Sequence, residues 1–142
     1  NLSTSNFTVI GGTRYTATGG GRILSGWYNN WLLGHWNNNT EDYYAEGWVT
    51  DPYAGGSDTN WRVYAGTGNI SGDSYSFYVN GNLNAGPNNG GNLGPNRFAI
   101  GSYGGGEYST AEFSFLLAYN RVLSDAEIIQ NYNAYKSRFG LK

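Results

Sequence analysis

The chain has 142 residues, a formal net charge of −2 and only 13% charged residues, about half the share of roughly 25% usual in globular domains. That length holds one domain with a real core, and the weak negative charge removes any electrostatic case for nucleic acid or an anionic membrane surface. There is no Cys, hence no disulfide, thiolate nucleophile or zinc–thiolate site. No run approaches the roughly 20 apolar residues of a membrane span, so no membrane insertion is expected.

Gly is frequent, at 23 residues, and aromatic residues make up 17% of the chain. Turn-rich, aromatic-rich sequences with few helix formers are the signature of an all-β domain. Few lysines, many Asn and Gly and no Cys suit a protein that works outside a cell, so an extracellular location is expected. The absence of Met and the opening Asn1-Leu2-Ser3-Thr4-Ser5-Asn6-Phe7-Thr8-Val9, already a strand approach, predict a processed or excised piece of something longer.

In chain order, short segments separated by turn signals dominate. Phe7-Thr8-Val9-Ile10 and Arg14-Tyr15-Thr16-Ala17 read as strands broken at Gly11-Gly12, and Gly19-Gly20-Gly21 reads as a flexible turn. Arg22 to Ser25 forms a short strand and Trp31 to Trp36 a stronger one. Asn37-Asn38-Asn39 then supplies a turn, because Asn tolerates left-handed backbone. The next strand is placed over Tyr43 to Val49, with Ala45, Gly47 and Val49 alternating against Tyr44, Glu46 and Trp48. A loop from Asp51 to Asn60 follows, then a strand from Trp61 to Ala65 with Trp61, Val63 and Ala65 on one face. The clearest hairpin joins Tyr75–Val79 to its return through Asn80-Gly81, since both central positions of a type I′ turn need positive φ. Asn84 to Asn96 reads as a long Gly/Asn/Pro surface loop. Arg97 to Gly101 and Phe113 to Tyr119 are the final strands.

The C-terminal segment has an explicit helix start. Ser124 followed by Glu127 is a capping box, Leu123 and Ile128 stand where a hydrophobic staple would, and Gly140 lies just past the helix end. About nine or ten short strands plus this helix imply a two-sheet sandwich. The run Tyr119-Asn120-Arg121-Val122-Leu123-Ser124-Asp125-Ala126-Glu127-Ile128, preceded by Tyr78-Val79-Asn80-Gly81 and Phe98-Ala99-Ile100-Gly101, resembles the laminin G-like branch of the concanavalin A-like lectin/glucanase superfamily, common in bacterial and phage surface proteins. The resemblance covers most of the chain from Asn6 onward. It implies an all-β, two-sheet antiparallel jelly-roll sandwich with one short C-terminal helix; the family's usual first strand, ahead of Asn1, is expected to be absent or to lie outside this sequence.

Glucanases of that superfamily carry an alternating Glu-x-Asp-x-Glu strand, and this chain has none. Glu41 and Asp42 are adjacent, so they diverge on a strand, and Phe115 stands where related domains often carry a Glu. Glycoside hydrolysis needs two carboxyl groups at a set separation, so no catalytic residue is assigned and an enzyme is not expected. His35 is the only histidine and reads as a hydrogen-bonding strand residue. Neither Gly19-Gly20-Gly21 nor Gly104-Gly105-Gly106 leads from a strand into a helix, so neither is a phosphate loop.

Trp27, Tyr28, Trp31, Trp36, Tyr43, Tyr44, Trp48 and Tyr53 are interleaved with Asn29, Asn30, Asn37, Asn38 and Asn39. Sugars stack their C–H faces on rings and pair their hydroxyls with amides, so this mixture suits a glycan site. Strand alternation sends half of these rings to the core, either Leu32 with Trp36 or Trp31 with Leu33. Trp27, Tyr28, Asn29, Asn30 and Tyr53, in turns or loops, are the glycan-binding candidates; Tyr103 and Tyr108, flanking Gly104-Gly105-Gly106, form a second group. Calcium, which the resemblance makes a fair question, would find Asp51 and Asp58 in the loop that holds Pro52 and Gly55-Gly56. The expected function is a non-catalytic glycan-binding or adhesion module on a cell or virion surface, its partner a glycan or surface polysaccharide. The alternative is a structural or assembly domain, such as a virion decoration, tail appendage or cell-surface subunit, bound to neighbouring protein subunits. A glycoside hydrolase ranks last.

Overall fold

The computed structural model describes residues 1–17 and 20–141; Gly19 of the Gly19-Gly20-Gly21 turn lies outside them. Nine strands precede one helix among the described residues: β1 (Phe7–Tyr15), β2 (Leu24–Gly26), β3 (Trp31–Trp36), β4 (Asn39–Ala45), β5 (Arg62–Asn69), β6 (Ser74–Val79), β7 (Asn82–Asn88), β8 (Phe98–Ile100), β9 (Ala111–Tyr119) and α1 (Asp125–Phe139). They form a five-stranded sheet, order β7-β6-β5-β1-β9, and a four-stranded sheet, order β4-β3-β2-β8. The pairings are antiparallel. The protein is therefore an all-β two-sheet sandwich closed by a C-terminal helix.

Alternation along each strand builds two cores. Phe7 and Val9 of β1, Tyr64 of β5 and Tyr75 and Phe77 of β6 face the other sheet, where Leu24, Trp31, Leu33, Tyr43 and Ala45 meet them. Trp31 thus takes the core position with Leu33, which resolves the alternation of β3. So many rings between two sheets need small residues opposite them. A Cβ on Gly66 would come within 2.8 Å of Leu33, and one on Gly34, whose φ is +98°, would strike the Tyr64 ring at 2.4 Å. The second core lies on the other face of the five-stranded sheet, where Ile10, Val63, Ala65, Tyr78 and Phe115 are covered by Leu123, Ile128 and Leu141. The helix therefore roofs one sheet. Among the described residues, no helix covers the outer face of the four-stranded sheet.

Three segments differ from the sequence expectation. Gly11-Gly12 does not break a strand: β1 runs through both, and a Cβ at Gly12 would meet Ser114 Oγ at 2.2 Å and the Phe115 ring at 2.9 Å. These glycines let β9 approach closely where the ladder slips at Gly12/Thr13. The strand placed over Tyr43–Val49 stops at Ala45, because Glu46 takes φ +70° and reverses the chain, so that Tyr44 bridges to Trp48. The first part of the supposed loop at 84–96 is strand β7, whose Asn, Gly and Pro residues hid it; Pro87 is tolerated because β7 is an edge strand.

The turn and cap signals hold as read. Asn37 and Asn38 adopt φ of 47° and 70°, and Asn80-Gly81 adopts 51° and 82°. Ser124 and Glu127 form the reciprocal capping box and Gly140 is left-handed at φ 63°. Thr8 of β1 adds a clamp, its Oγ1 donating to the Arg121 carbonyl and accepting from Leu123 N–H, both at 2.9 Å. Ser124→Ala is expected to cost about 1 kcal/mol, a fall of about 3 °C in Tm for a domain of this size. An unchanged melting temperature would mean that Leu123 and Ile128 hold the helix start without help from its cap.

Candidate functional site

The uncovered face of the four-stranded sheet carries a groove. Leu32 and Trp36, the outward residues of β3, join Tyr44 of β4 on its floor, and the reversal at Glu46 swings Trp48 over Tyr44. One depression of about 290 Å³ is lined by Arg22, Asn30, Leu32, Trp36, Tyr44, Trp48 and Glu107. A second, of about 450 Å³, is lined by Gly20, Gly21, Trp36, Asn37, Asn38, Glu107 and Tyr108. They share Trp36 and Glu107, so they are two lobes of one groove.

A continuous row of rings runs along it. Tyr44 lies 5.0 Å from Trp48, Trp48 5.3 Å from Trp36, and Trp36 5.4 Å from Tyr53, ring centroid to ring centroid. Tyr53 is 47% exposed and sits in left-handed backbone at φ 69°. Its N–H donates to Asp42 Oδ1 at 3.0 Å. Thr40 N–H donates to the Gly56 carbonyl at 2.8 Å. The 51–58 loop is thereby folded back on β4, and Tyr53 is set against Trp36.

The opposite wall is built from two remote segments. Gly21 N–H donates to the Tyr108 carbonyl and Arg22 N–H to the Glu107 carbonyl. Gly21 is needed there, since a Cβ would fall 2.0 Å from the Glu107 carbonyl oxygen. This close pass brings Arg22 Nε to Glu107 Oε2 at 2.5 Å. Arg22 Nη2 donates to Asn30 Oδ1 at 2.7 Å, and its guanidinium lies 4.0 Å from the Tyr103 ring centroid. Arg22 is only 4% exposed, so its charge is spent inside the wall. The Glu107 side chain keeps 39% of its surface open to solvent.

Of the sequence candidates, Asn30 and Tyr108 line the groove, Tyr53 extends its ring row, and Tyr103 backs Arg22. Trp27, Tyr28 and Asn29 stand apart from it. Tyr28 is 63% exposed beside Arg97, and Asn29 Nδ2 donates to the Gly94 carbonyl. Arg22 and Glu107 gave no sequence signal, because they meet only through a contact 85 residues apart. Trp36, Tyr44 and Trp48 were visible as rings, but which of the rings faced outward was not. Both Asp58 carboxylate oxygens are held by Arg62 at 2.7 Å, which depresses the Asp58 carboxyl to about 2. Asp51 is exposed, and among the described residues no group of three or more His, Cys, Asp or Glu gathers. Nor is any helix there long and apolar enough to cross a membrane.

Buried polar groups sit behind the groove. His35 is fully buried, with Nδ1 3.4 Å from Thr13 Oγ1 and its ring packed edge-on against Tyr15 and Tyr64. Burial lowers its pKa to about 3. Asp42 is also fully buried, and desolvation raises it to about 6, although the Tyr53 N–H favours its ionised form.

No family model and no curated protein matches this sequence. Solved structures do share its fold. Trypanosoma rangeli sialidase superposes with a TM-score of 0.70 at 18% identity, over 98% of this chain and 24% of that one. A candidate carbohydrate-binding protein from Bacteroides ovatus gives 0.65 at 20% identity, over 92% of this chain and 41% of that one. The binding domain of Botulinum Neurotoxin DC, in complex with SialylT, gives 0.58 at 14% identity, over 92% and 36%. The chain spans about a quarter of the sialidase's length and less than half of the other two. At these identities the likeness is one of fold, the two-sheet β-sandwich.

Proposed function

We propose that this chain is a non-catalytic carbohydrate-binding module of the laminin G-like type, working outside the cell on a cell or virion surface, with its glycan in the groove on the uncovered sheet. The observation that carries the reading is the row Tyr44, Trp48, Trp36 and Tyr53 beside a rim of Asn30, Asn37, Asn38 and Glu107. Rings offer an apolar surface to the C–H face of a pyranose, and the amides and carboxylate pair with its hydroxyls. The fold neighbours with a carbohydrate-binding description or a SialylT complex support it. Hydrolysis by the usual pair of carboxyl groups has less support, because Glu107 is the single carboxylate lining either lobe among the described residues.

A glycan array probed with the chain, with and without calcium, tests the proposal. Binding that weakens in Trp48→Ala supports the groove. Calcium dependence would mean that the ion takes Asp58 from Arg62 in the 51–58 loop. No bound glycan at millimolar concentration would sink the reading and leave the assembly-domain alternative, for which exposed Trp27 and Tyr28 would be the first contact to test.

A further inference from the structure

The charges around the groove select among saccharides, and this inference rests on the glycan reading above. We propose that the groove takes saccharides without acid groups and discriminates against sialylated, uronic or sulfated ones. The argument is an inventory of cations. The chain has eight Lys and Arg, and among the described residues only Arg22 lines either lobe. Arg22 is buried, its Nε on Glu107, its Nη2 on Asn30 and its plane on Tyr103. It therefore has little to offer an incoming anion.

The other described cations are engaged elsewhere. Arg14 pairs with Glu112, Arg62 with Asp58 and Glu41, and Arg121 with Glu127. Arg97 lies over Tyr28. Lys136 and Arg138 belong to the last turn of α1, on the sheet opposite the groove. The exposed charge at the junction of the two lobes is the Glu107 carboxylate. The Asn30, Asn37 and Asn38 side chains stand beside it in the lining. Amides that both donate and accept, beside one open carboxylate, suit neutral hydroxyls, which do both. A ligand carboxylate would meet like charge and find no free guanidinium for the paired hydrogen bonds that usually hold it.

The test is an array carrying neutral oligosaccharides beside their sialylated and glucuronylated forms, read at low and high salt. Neutral members are expected to bind, each acidic counterpart about five-fold or more weaker, as one like-charge contact near solvent implies. The gap should narrow in 0.5 M NaCl, about three times the physiological ionic strength, because exposed charges are screened. It should close or reverse in Glu107→Gln, which removes the carboxylate and releases Arg22. Should that variant fail to fold, the salt dependence of the parent chain decides alone. Acidic forms bound as well as their neutral parents would overturn the discrimination and leave glycan binding standing. An array with no bound member would overturn the underlying reading, and this inference with it.

Discussion

Trp36→Ala is expected to weaken saccharide binding about thirty-fold, or about 2 kcal/mol, the scale of a central aromatic hot spot. Trp36 is the one ring shared by both lobes of the groove. It also touches both neighbours in the ring row, Trp48 at 5.3 Å and Tyr53 at 5.4 Å. Its removal therefore interrupts the platform where a bound chain would cross from one lobe to the other. The fold should survive, because Trp36 is half-buried on the outer sheet face and belongs to neither core. Titration of one array-selected neutral oligosaccharide checks this, with Tyr28→Ala as the comparison. Tyr28 is more exposed than Trp36 but lies off the groove, so its loss should leave affinity within about two-fold, under 0.5 kcal/mol. The reverse pattern would move the site to the Trp27–Tyr28 loop.

The second large effect concerns pH and the buried pair of groups behind the groove. His35 titrates at about 3 in the native state against an ordinary 6.5. The unfolded chain then binds the extra proton between those values, so stability falls as pH drops through that window. Asp42 works the other way. Its carboxyl is raised from 3.8 to about 6, so the native state binds the extra proton between pH 3.8 and 6, and stability falls as pH rises. From about pH 4 to pH 6 the two slopes oppose, at about 1.4 kcal/mol per pH unit each.

Asp42→Asn removes one of them. The variant should lose about 3 kcal/mol on going from pH 6 to pH 4, through His35 alone. The parent should change far less over the same interval. The lowered carboxyls of Asp58, Asp73 and Glu127 tilt both proteins alike below their ordinary range, so the difference between the curves isolates Asp42. Urea unfolding at pH 4, 5, 6 and 7 measures it. Parallel curves for parent and variant would show that Asp42 is not protonated in the native state over this range.

Asp42 also links stability to the groove. Its Oδ1 receives the Tyr53 N–H that fixes the loop carrying the last ring of the row. A neutral Asn oxygen can accept the same bond, so Asp42→Asn should keep most of the affinity. Asp42→Ala, which leaves that N–H unpaired, should weaken binding about as much as loss of one net hydrogen bond, roughly 1 kcal/mol. Comparing the two variants in one titration separates the acceptor from the charge.

What the amino-acid sequence determined alone was local chemistry. The capping box of Ser124 and Glu127, the terminating Gly140, the left-handed Asn37-Asn38 and the Asn80-Gly81 hairpin all depend on a few adjacent residues, and all formed as read. The two-sheet class followed from the same local signals summed along the chain. Trp27, Tyr28 and Tyr53 were read as exposed because they stand in turns, and they are.

Only the tertiary structure decided which face each strand ring occupies. Trp31 and Trp36 share one strand, yet one lies in the core and the other on the open sheet. That choice depends on the partner sheet, on the bulge at Gly34/His35 and on the helix that roofs the opposite sheet and leaves this one uncovered. The reversal at Glu46 and the pass of Gly21 against Glu107 likewise join residues that no short pattern connects. Glycine read locally as a break, whereas Gly12 and Gly21 are the places where two remote backbones come close enough to share a wall. Turns and caps are settled by neighbouring dihedrals and are legible in sequence. A binding groove is settled by contacts across tens of residues, and those exist only once the sheets have packed.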